Sequence, residues 1–267
     1  MLESFLFLSR HLVAFVLVAF CVSSPVGAQQ PLAAAPASPV FLPRYDFHLS
    51  AAALANADPR FSWDTHFGGD IDVVDYVLGR TSAVINYEAI LGNEFRAFDP
   101  NQGNYTLELA TSVRLGRTEI AGIFNHVSRH LSDRPKRFPI AWNILGVRVL
   151  QQTTAKGSVI DFVADAGGTT QRVNVDYEWS ANATVGVRRQ VHRGVGVFAR
   201  GTGHLMGVSP ERARHTQSGG EIEGGIRLMG QAGVTEFFAG FERRFDAHQL
   251  DFEPRRWFMV GFRVLRQ

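Results

Sequence analysis

Polar and apolar residues alternate with a period of two along most of the chain. Between residues 172 and 188, one parity holds Val, Tyr, Trp and Ala, whereas the other holds mainly Arg, Asn, Asp, Glu and Ser. Because successive side chains of a β-strand point to opposite faces, this pattern predicts strands with one apolar and one polar face. No stretch after residue 28 keeps a helical period over three turns. The chain is therefore predicted to be all-β.

About twelve strands are predicted, most of them about ten residues or longer. Strands in soluble sandwiches are usually about five or six residues long, whereas a tilted strand that crosses a bilayer needs roughly 9 to 11. This length favours a membrane protein. The predicted strands lie near residues 44–54, 60–67, 82–92, 104–115, 118–128, 139–150, 158–166, 172–189, 194–205, 219–230, 234–246 and 256–266.

The polar face of these strands carries charged residues, which a polar lumen accepts and lipid excludes. We therefore expect an antiparallel transmembrane β-barrel of about 12 strands, with its apolar face toward lipid. A lipocalin-like soluble barrel would show the same alternation with the apolar face inward, but the strand count and the charges disfavour it. The charged positions on the polar face include Glu88, Glu108, Arg114, Glu119, Arg148, Asp161, Glu223 and Arg227.

From the third predicted strand onward, the connections alternate between long polar loops and tight turns. Outer-membrane barrels pair long external loops with short periplasmic turns, so this rhythm places both chain ends on the periplasmic side. Two connections fit poorly, since residues 167–171 are short for an outer loop and residues 68–81 are long for an inner turn. The long loops are residues 93–103, 129–138, 206–218 and 247–255, and the tight turns are residues 116–117, 190–193 and 231–233.

The first 28 residues read as a secretory signal peptide, with a short apolar run followed by small residues that permit cleavage near Ala28. A retained N-terminal anchor is the alternative. Residues 29–43 form a Pro/Ala-rich leader, predicted to be flexible, and residues 44–267 form the barrel domain. The only cysteine, Cys21, would leave with the signal peptide. We expect the protein in the outer membrane of a Gram-negative-type bacterium.

The charge balance argues against nucleic acid as a partner, because the formal net charge is only +2. The identity of the basic residues is more informative. Only Lys136 and Lys156 are lysines among the 27 basic residues, so nearly all of them are arginine. Arginine forms planar, two-pronged contacts with carboxylates and therefore suits ion pairs in a confined interior. A GC-rich genome would produce the same bias.

One predicted strand ends with residues that could carry chemistry. His126 and Ser128 lie two positions apart and share the parity of Ile120 and Phe124, and Asn143 shares the apolar parity of the next strand. All three therefore project from the apolar face, near the outer rim. Placing polar side chains toward lipid is unfavourable unless they serve a purpose.

These three residue types fit a serine hydrolase. His126 would take the proton from Ser128 as its hydroxyl attacks an ester carbonyl, and Asn143 would hold the imidazole in the productive tautomer. The oxyanion needs stabilisation from backbone N–H groups or from a bound cation. Ser132 and Asp133, in the following loop, could supply oxygen ligands to calcium. A His126–His130 metal pair is disfavoured, because a spacing of four suits a helix rather than a strand.

This region resembles the active-site region of the outer-membrane phospholipase A family over roughly 25 residues. The resemblance implies a twelve-stranded barrel with a lipid-facing Ser-His-Asn triad, membrane lipids as substrates, a calcium requirement and activity as a homodimer. This chain departs from the family in a longer loop before Asn143, and in His130-Leu131 where the family has Gly-Arg. The matching residues are Phe124-Asn125-His126-Val127-Ser128, Ser132-Asp133, Trp142-Asn143-Ile144-Leu145 and Arg148.

Two further likenesses leave the function open. Lipid A deacylases also carry a His-x-Ser pair on a barrel, but they complete it with an acidic residue. The chain also looks broadly like uncharacterised barrel families, which imply no activity. The alternative to a hydrolase is therefore a non-catalytic outer-membrane barrel that is structural or forms a narrow channel.

Overall fold

The computed structural model describes residues 35–55, 57–132, 135, 138–211 and 213–266. These residues form a closed antiparallel barrel in which each strand pairs with its neighbours in sequence. No helix among them is long and apolar enough to cross a membrane. The predicted fold class is confirmed. The strands are β1 (Val40–Ala55), β2 (Trp63–Asp75), β3 (Arg80–Gly92), β4 (Asp99–Leu115), β5 (Thr118–Leu131), β6 (Ile140–Ala155), β7 (Ser158–Val173), β8 (Tyr177–His192), β9 (Val195–Val208), β10 (Gln217–Met229), β11 (Val234–Arg244) and β12 (Arg255–Leu265).

The barrel closes where β1 pairs with β12, from His48 opposite Leu265 to Ala55 opposite Phe258. Closure leaves no unpaired strand edge, which is a requirement for a sheet in lipid. The apolar parity faces outward, as predicted, with Leu145 59% and Val260 65% exposed. The charged parity faces the lumen and is largely buried. A soluble barrel with an apolar interior is therefore excluded.

The two ends of the barrel differ in their connections. One end, called here the inner end, carries the start of β1, the end of β12 and the tight turns, such as Lys156-Gly157, where both residues have positive φ. Two successive positive-φ residues form the turn that best suits a twisted hairpin. The opposite, outer end carries connections of six or more residues, apart from residues 174–176. The outer connections are residues 56–62, 93–98, 132–139, 174–176, 209–216 and 245–254.

Two expected connections were wrong. Residues 68–75 belong to β2, so the inner turn is only residues 76–79. Glycines and aspartates made this segment read as a loop. However, Asp70 and Asp72 point into the lumen, where Arg44 binds both carboxylates, at 2.6 Å and 3.0 Å. Aspartate has a low strand propensity, but an ion pair with arginine makes it stable inside a barrel strand. The local sequence does not show that pairing.

The second error lies at the outer end, where residues 167–171 are part of β7 and the connection is residues 174–176. A Cβ atom at Gly167 would lie 2.6 Å from the Leu145 carbonyl oxygen. This glycine therefore allows β6 and β7 to approach closely, and it does not mark a loop. The pairing of β8 with β9 has a register shift between Tyr177 and Trp179. Because of this shift the two side chains point to opposite faces, and Tyr177 lies in the lumen at 2% exposure whereas Trp179 lies on the outer wall.

The N-terminal boundaries differ slightly from expectation. β1 begins at Val40, so residues 40–43 of the predicted leader belong to the first strand. The predicted signal peptide, residues 1–28, lies outside the described residues, as does Asp133. The signal peptide and the role of Asp133 therefore stay predictions.

Arginine–carboxylate pairs fill much of the lumen, in agreement with one of the two explanations of the arginine bias. Near the inner end, Arg80 binds Glu119 at 2.9 Å and Asp72 at 3.1 Å. In the middle of the barrel, Arg148 donates to Glu108 through its two terminal guanidinium nitrogens, at 2.6 Å and 2.7 Å. These side chains are almost completely buried. A buried ion pair depends on both partners, because a lone charge cannot be solvated there.

The Glu108–Arg148 pair gives a test of this interior. We expect Arg148→Met alone to lower the free energy of unfolding by about 3–5 kcal/mol, because it leaves the Glu108 carboxylate buried without its partner. The double variant Glu108→Leu, Arg148→Met should recover at least half of that loss. Urea unfolding of the refolded barrel in detergent micelles measures both. Equal stability of the single variant and the wild type would contradict this account.

Candidate functional site

A polar patch lies on the outward face of β5, β6 and β7, near the outer end. His126 stands directly opposite Asn143, and its Nδ1 lies 2.6 Å from Asn143 Oδ1. The Asn143 amide nitrogen donates to Gln171 Oε1 at 3.1 Å. This fixes the amide with its oxygen toward His126, so the imidazole proton sits on Nδ1. The Nε2 lone pair is then available as a base.

A bulge in β7 places Gln171 opposite Asn143. The register shifts between Asn143 and Ile144, which leaves Thr170 as the extra residue of β7. Bulges re-aim side chains and occur frequently beside active sites. Alternation in the sequence gives no sign of an extra residue, so Gln171 was missed.

The Ser128 hydroxyl has a different imidazole partner from the one expected. Its Oγ lies 2.7 Å from Nε2 of His130, two positions further along the same face. Ser128 therefore stands between two imidazoles, His126 and His130. In the sequence, His130 stands out as half of a disfavoured metal pair and as a departure from the phospholipase A pattern, although its shared parity with Ser128 is visible there as well. The His130 ring also meets the Tyr105 ring edge-on, with centroids 5.4 Å apart.

Aromatic rings continue across the outer wall from this site. Phe67 and Tyr87 have centroids 5.2 Å apart, and Tyr87 and Tyr105 are 4.8 Å apart. Tyr105 stands directly opposite Ser128. Rows of outward aromatic side chains mark the interface of a membrane barrel, where rings sit at the level of lipid head groups. The row leads to Ser128 through Tyr105, which favours a position for Ser128 at the height of the interface rather than in the middle of the apolar band.

Ser128 has a small neighbour on the outer face of the sheet and a packed neighbour on the inner face. On β6 the position opposite Ser128 is Ala141, whose small side chain leaves room above the hydroxyl. On the lumen side, Val127 packs against the apolar cluster that includes Trp142 and Tyr177. Val127 lies between His126 and Ser128, so its inward packing fixes the outward direction of both neighbours.

The expected calcium ligands are only partly described. Ser132 follows β5, and a Cβ atom at Gly103 would lie 3.0 Å from its Oγ, so this hydroxyl lies beside Gly103, near the start of β4. Asp133 is outside the described residues. Calcium takes roughly six to eight oxygen ligands, and of the two expected ligands only Ser132 lies among the described residues. The calcium site therefore stays a prediction for this chain.

The described residues contain one group with metal-ligand spacing, and it lies in the lumen. It consists of Asp64, His66 and Glu88. Arg244 binds Asp64 at 2.5 Å and Glu88 at 2.8 Å, so a cation already occupies the position between these carboxylates. We interpret the group as part of the ion-pair network.

A cavity of about 210 Å³ lies in the outer half of the lumen. Its walls combine the apolar cluster around Trp142 with charged groups such as Arg148 and Arg244. The β11–β12 connection, residues 245–254, folds over its outer side. Asp246 and Ala247 are 1% and 0% exposed, which is unusual for a loop at a barrel mouth.

Several strands hold this folded connection, called here the mouth segment. Tyr177 donates to the Asp246 carboxylate at 2.7 Å, and Arg214 binds the same carboxylate through its NH2 nitrogen at 2.6 Å and 2.7 Å. From β5, Arg129 donates to the backbone oxygens of Asp246 and Ala247 at 2.8 Å and 3.2 Å. The mouth segment is thus tied across the full width of the barrel.

Ion pairs at the rim add to these ties. Arg60, in the β1–β2 connection, binds Asp58 at 2.7 Å and Asp251 of the mouth segment at 2.9 Å. The hydrogen bonds from Arg60 lower the pKa of Asp58. Burial lowers the pKa of His248 in the mouth segment, which keeps this imidazole neutral. At Arg60 and His248 the rim therefore holds a cation paired with carboxylates and an imidazole whose protonation is disfavoured.

Comparison with solved structures shows the fold class of this barrel. The chain is similar to the calcium-bound dimer of the outer membrane phospholipase of Salmonella typhi, at a TM-score of 0.51 and 10% identity over 87% of this chain and 93% of that chain. It is similar to Escherichia coli outer membrane phospholipase A, at 0.51 and 9% identity over 84% and 92%. An outer membrane channel from Pseudomonas putida F1 matches at 0.50 and 12% identity, over 91% and 99%.

No protein-family model and no curated protein sequence matches the chain. Identities near one in ten show a shared fold and leave the chemistry open. The chain therefore has the fold of outer-membrane β-barrels, which includes both enzymes and channels.

The mouth segment gives a test of the channel alternative. In planar lipid bilayers we expect the wild type to show no steady conductance, because the mouth segment and the lumen ion pairs obstruct the path. Asp246→Ala removes the carboxylate that Tyr177 and Arg214 hold, and we expect it to produce frequent opening events.

Glu253→Ala is the matched control, since this acidic residue lies in the same connection with a 63% exposed side chain. It should behave as the wild type does. A large steady conductance of the wild-type barrel would instead support the channel function.

Proposed function

We propose that the outer rim of β5 and β6 hydrolyses acyl esters of membrane lipids, with Ser128 as the nucleophile and His126 and Asn143 supporting it. One observation carries this proposal. An imidazole that is oriented by an amide oxygen at 2.6 Å lies two positions from a serine, on the outward face of the barrel. An outward imidazole, hydroxyl and amide are unfavourable in contact with lipid tails, so this arrangement requires a use.

The height of the patch supports a lipid substrate. The aromatic row that ends at Tyr105 and His130 supports an interfacial position for Ser128. The acyl-ester bonds of a phospholipid lie between its head group and its tails, at the same depth. A lipid in the outer leaflet would therefore present its ester carbonyl to Ser128 without leaving the bilayer, and its acyl chain would remain in the apolar medium.

The chemistry proceeds through an acyl-enzyme. The Ser128 hydroxyl loses its proton to an imidazole as Oγ attacks the ester carbonyl, the lysolipid alcohol leaves, and water then releases the fatty acid. A serine hydroxyl is a weak nucleophile by itself, so the imidazole is required. The backbone of β5 at Ser128 pairs on both sides, with Tyr105 of β4 and with Ala141 of β6, so the oxyanion would take its stabilisation from the loop that follows β5.

The other expected properties of the site are part of the same proposal. The phospholipase from Salmonella typhi is a dimer with bound calcium. A homodimer, and a calcium requirement that involves Ser132 and Asp133, remain predictions for this chain. Cleavage of the signal peptide near Ala28, which would direct the barrel to the outer membrane, is also a prediction.

The serine gives the direct test of the hydrolase. We expect Ser128→Ala to lower kcat/KM for fatty-acid release from short-chain phospholipids by at least about 10³-fold, since the nucleophile is lost. Ser158→Ala, at the inner end of β7, is the matched control and should keep wild-type activity. Equal background release by the wild type and Ser128→Ala would show that the site is not a hydrolase.

The amide gives a second test. Asn143→Ala removes the oxygen that accepts from His126 Nδ1, so the ring is free to rotate. We expect kcat to fall by about 10²-fold, because a loss of orientation acts on the chemical step, with KM changed little. Asn143→Asp, which keeps an acceptor in place, should retain more activity than Asn143→Ala. A fall in activity that comes from KM alone would argue against this role of Asn143.

A further inference from the structure

The second imidazole beside Ser128 has no role in a triad of Ser128, His126 and Asn143. His130 Nε2 lies 2.7 Å from Ser128 Oγ, within the range expected for a general base and its substrate proton. His126 has a different arrangement, since its Nδ1 is held by Asn143. Among the described residues, its Nε2 has no hydrogen-bond partner. The two rings therefore differ in what they contact before any substrate binds.

We propose that the two imidazoles divide the catalytic cycle, so that His130 acts in acylation of Ser128 and His126 acts in release of the acyl group. This inference rests on the proposed function. It makes His130 a further catalytic residue, because its Nε2 touches the reacting oxygen. The residue pattern is His-x-Ser-x-His on one strand face, which places both rings beside the same hydroxyl.

In the first half of the cycle, the proton of Ser128 Oγ passes to His130 Nε2 as Oγ bonds to the ester carbonyl carbon. The bond from this carbon to the alcohol oxygen then breaks, and the alcohol leaves with the proton from His130. Tyr105 is a positioning residue, because its ring meets His130 edge-on at 85° and limits rotation of the imidazole.

In the second half, water occupies the place that the alcohol left. His126 Nε2 takes a proton from this water as its oxygen bonds to the acyl carbon. The bond from carbon to Ser128 Oγ breaks, Oγ recovers the proton from His126, and the fatty acid leaves. Asn143 accepts from Nδ1–H throughout and stabilises the imidazolium that forms. Atoms and charges balance over the two halves without a cofactor.

The division can be tested because the two halves have separate readouts. Acylation is followed with a fluorophosphonate probe, in which Ser128 Oγ bonds to phosphorus and fluoride leaves. Release is followed by intact-protein mass spectrometry of the acyl-enzyme during turnover of a short-chain phospholipid. All variants are refolded barrels, and the shift in gel migration on heating confirms that each one is folded.

We expect His130→Asn to slow labelling of Ser128 by about 10²-fold or more, because the proton acceptor is lost. His126→Asn should label within about threefold of the wild type but accumulate acyl-enzyme, because the release step lacks its base. His192→Asn, an exposed histidine at the inner end of β8, is the matched control for both. Added imidazole should restore labelling of His130→Gly, which a purely structural role would not allow.

Two results would overturn the division. One is wild-type labelling by His130→Asn, and the other is slowing by His126→Asn that equals or exceeds the slowing by His130→Asn. In either case Ser128-dependent hydrolysis would still stand. If the wild type is neither labelled at Ser128 nor active on lipid, the proposed function fails and the division fails with it.

Discussion

The structure depends on the need to satisfy every backbone hydrogen bond and every charge within a protein surrounded by lipid. Pairing of β1 with β12 removes the last free strand edges. With the wall closed, the charged parity can only face inward, and there each arginine needs a carboxylate within reach. Arg148 with Glu108, and Arg80 with Glu119, meet this need at the middle and inner end. The interior at these two levels is thus organised by charge pairing, whereas the outer end also holds the apolar cluster around Trp142 and Tyr177.

The outward patch at His126, Ser128 and Asn143 is an exception to this arrangement. Elsewhere the outer wall carries side chains such as Leu145 and Val260, which are stable in lipid. At the patch, the polar groups satisfy one another along a line from His126 through Asn143 to Gln171. Mutual hydrogen bonding makes the patch tolerable at the interface, but it does not explain why polar residues are there. The proposed lipid substrate would explain it.

The lumen and the outer wall have opposite properties. Inside, the mouth segment and the arginine pairs leave a cavity of about 210 Å³, surrounded by groups that already have partners such as Glu108 and Arg148. Outside, Ser128 has space above it at Ala141 and a base within 2.7 Å. Similar folds serve enzymes and channels, so the fold alone does not decide between them. For the proposed hydrolase, the outward position of His126, Ser128 and Asn143 favours the outer wall as the site of the reaction.

The sequence by itself determined the class of fold, the facing of most strands and the presence of His126, Ser128 and Asn143 on one face, because a period of two directly reports strand sides. The sequence was a poorer guide to the ends of strands that contain charged residues or glycines, such as β2 and β7. Residues 68–75 read as a loop, since the partners of Asp70 and Asp72 lie far away in sequence. Only the tertiary structure decided the hydrogen-bond partners. A bulge in β7 brings Gln171 to Asn143, and the side-chain rotamers bring the Ser128 hydroxyl to His130 rather than to His126. Neither feature leaves a periodic signal in the sequence.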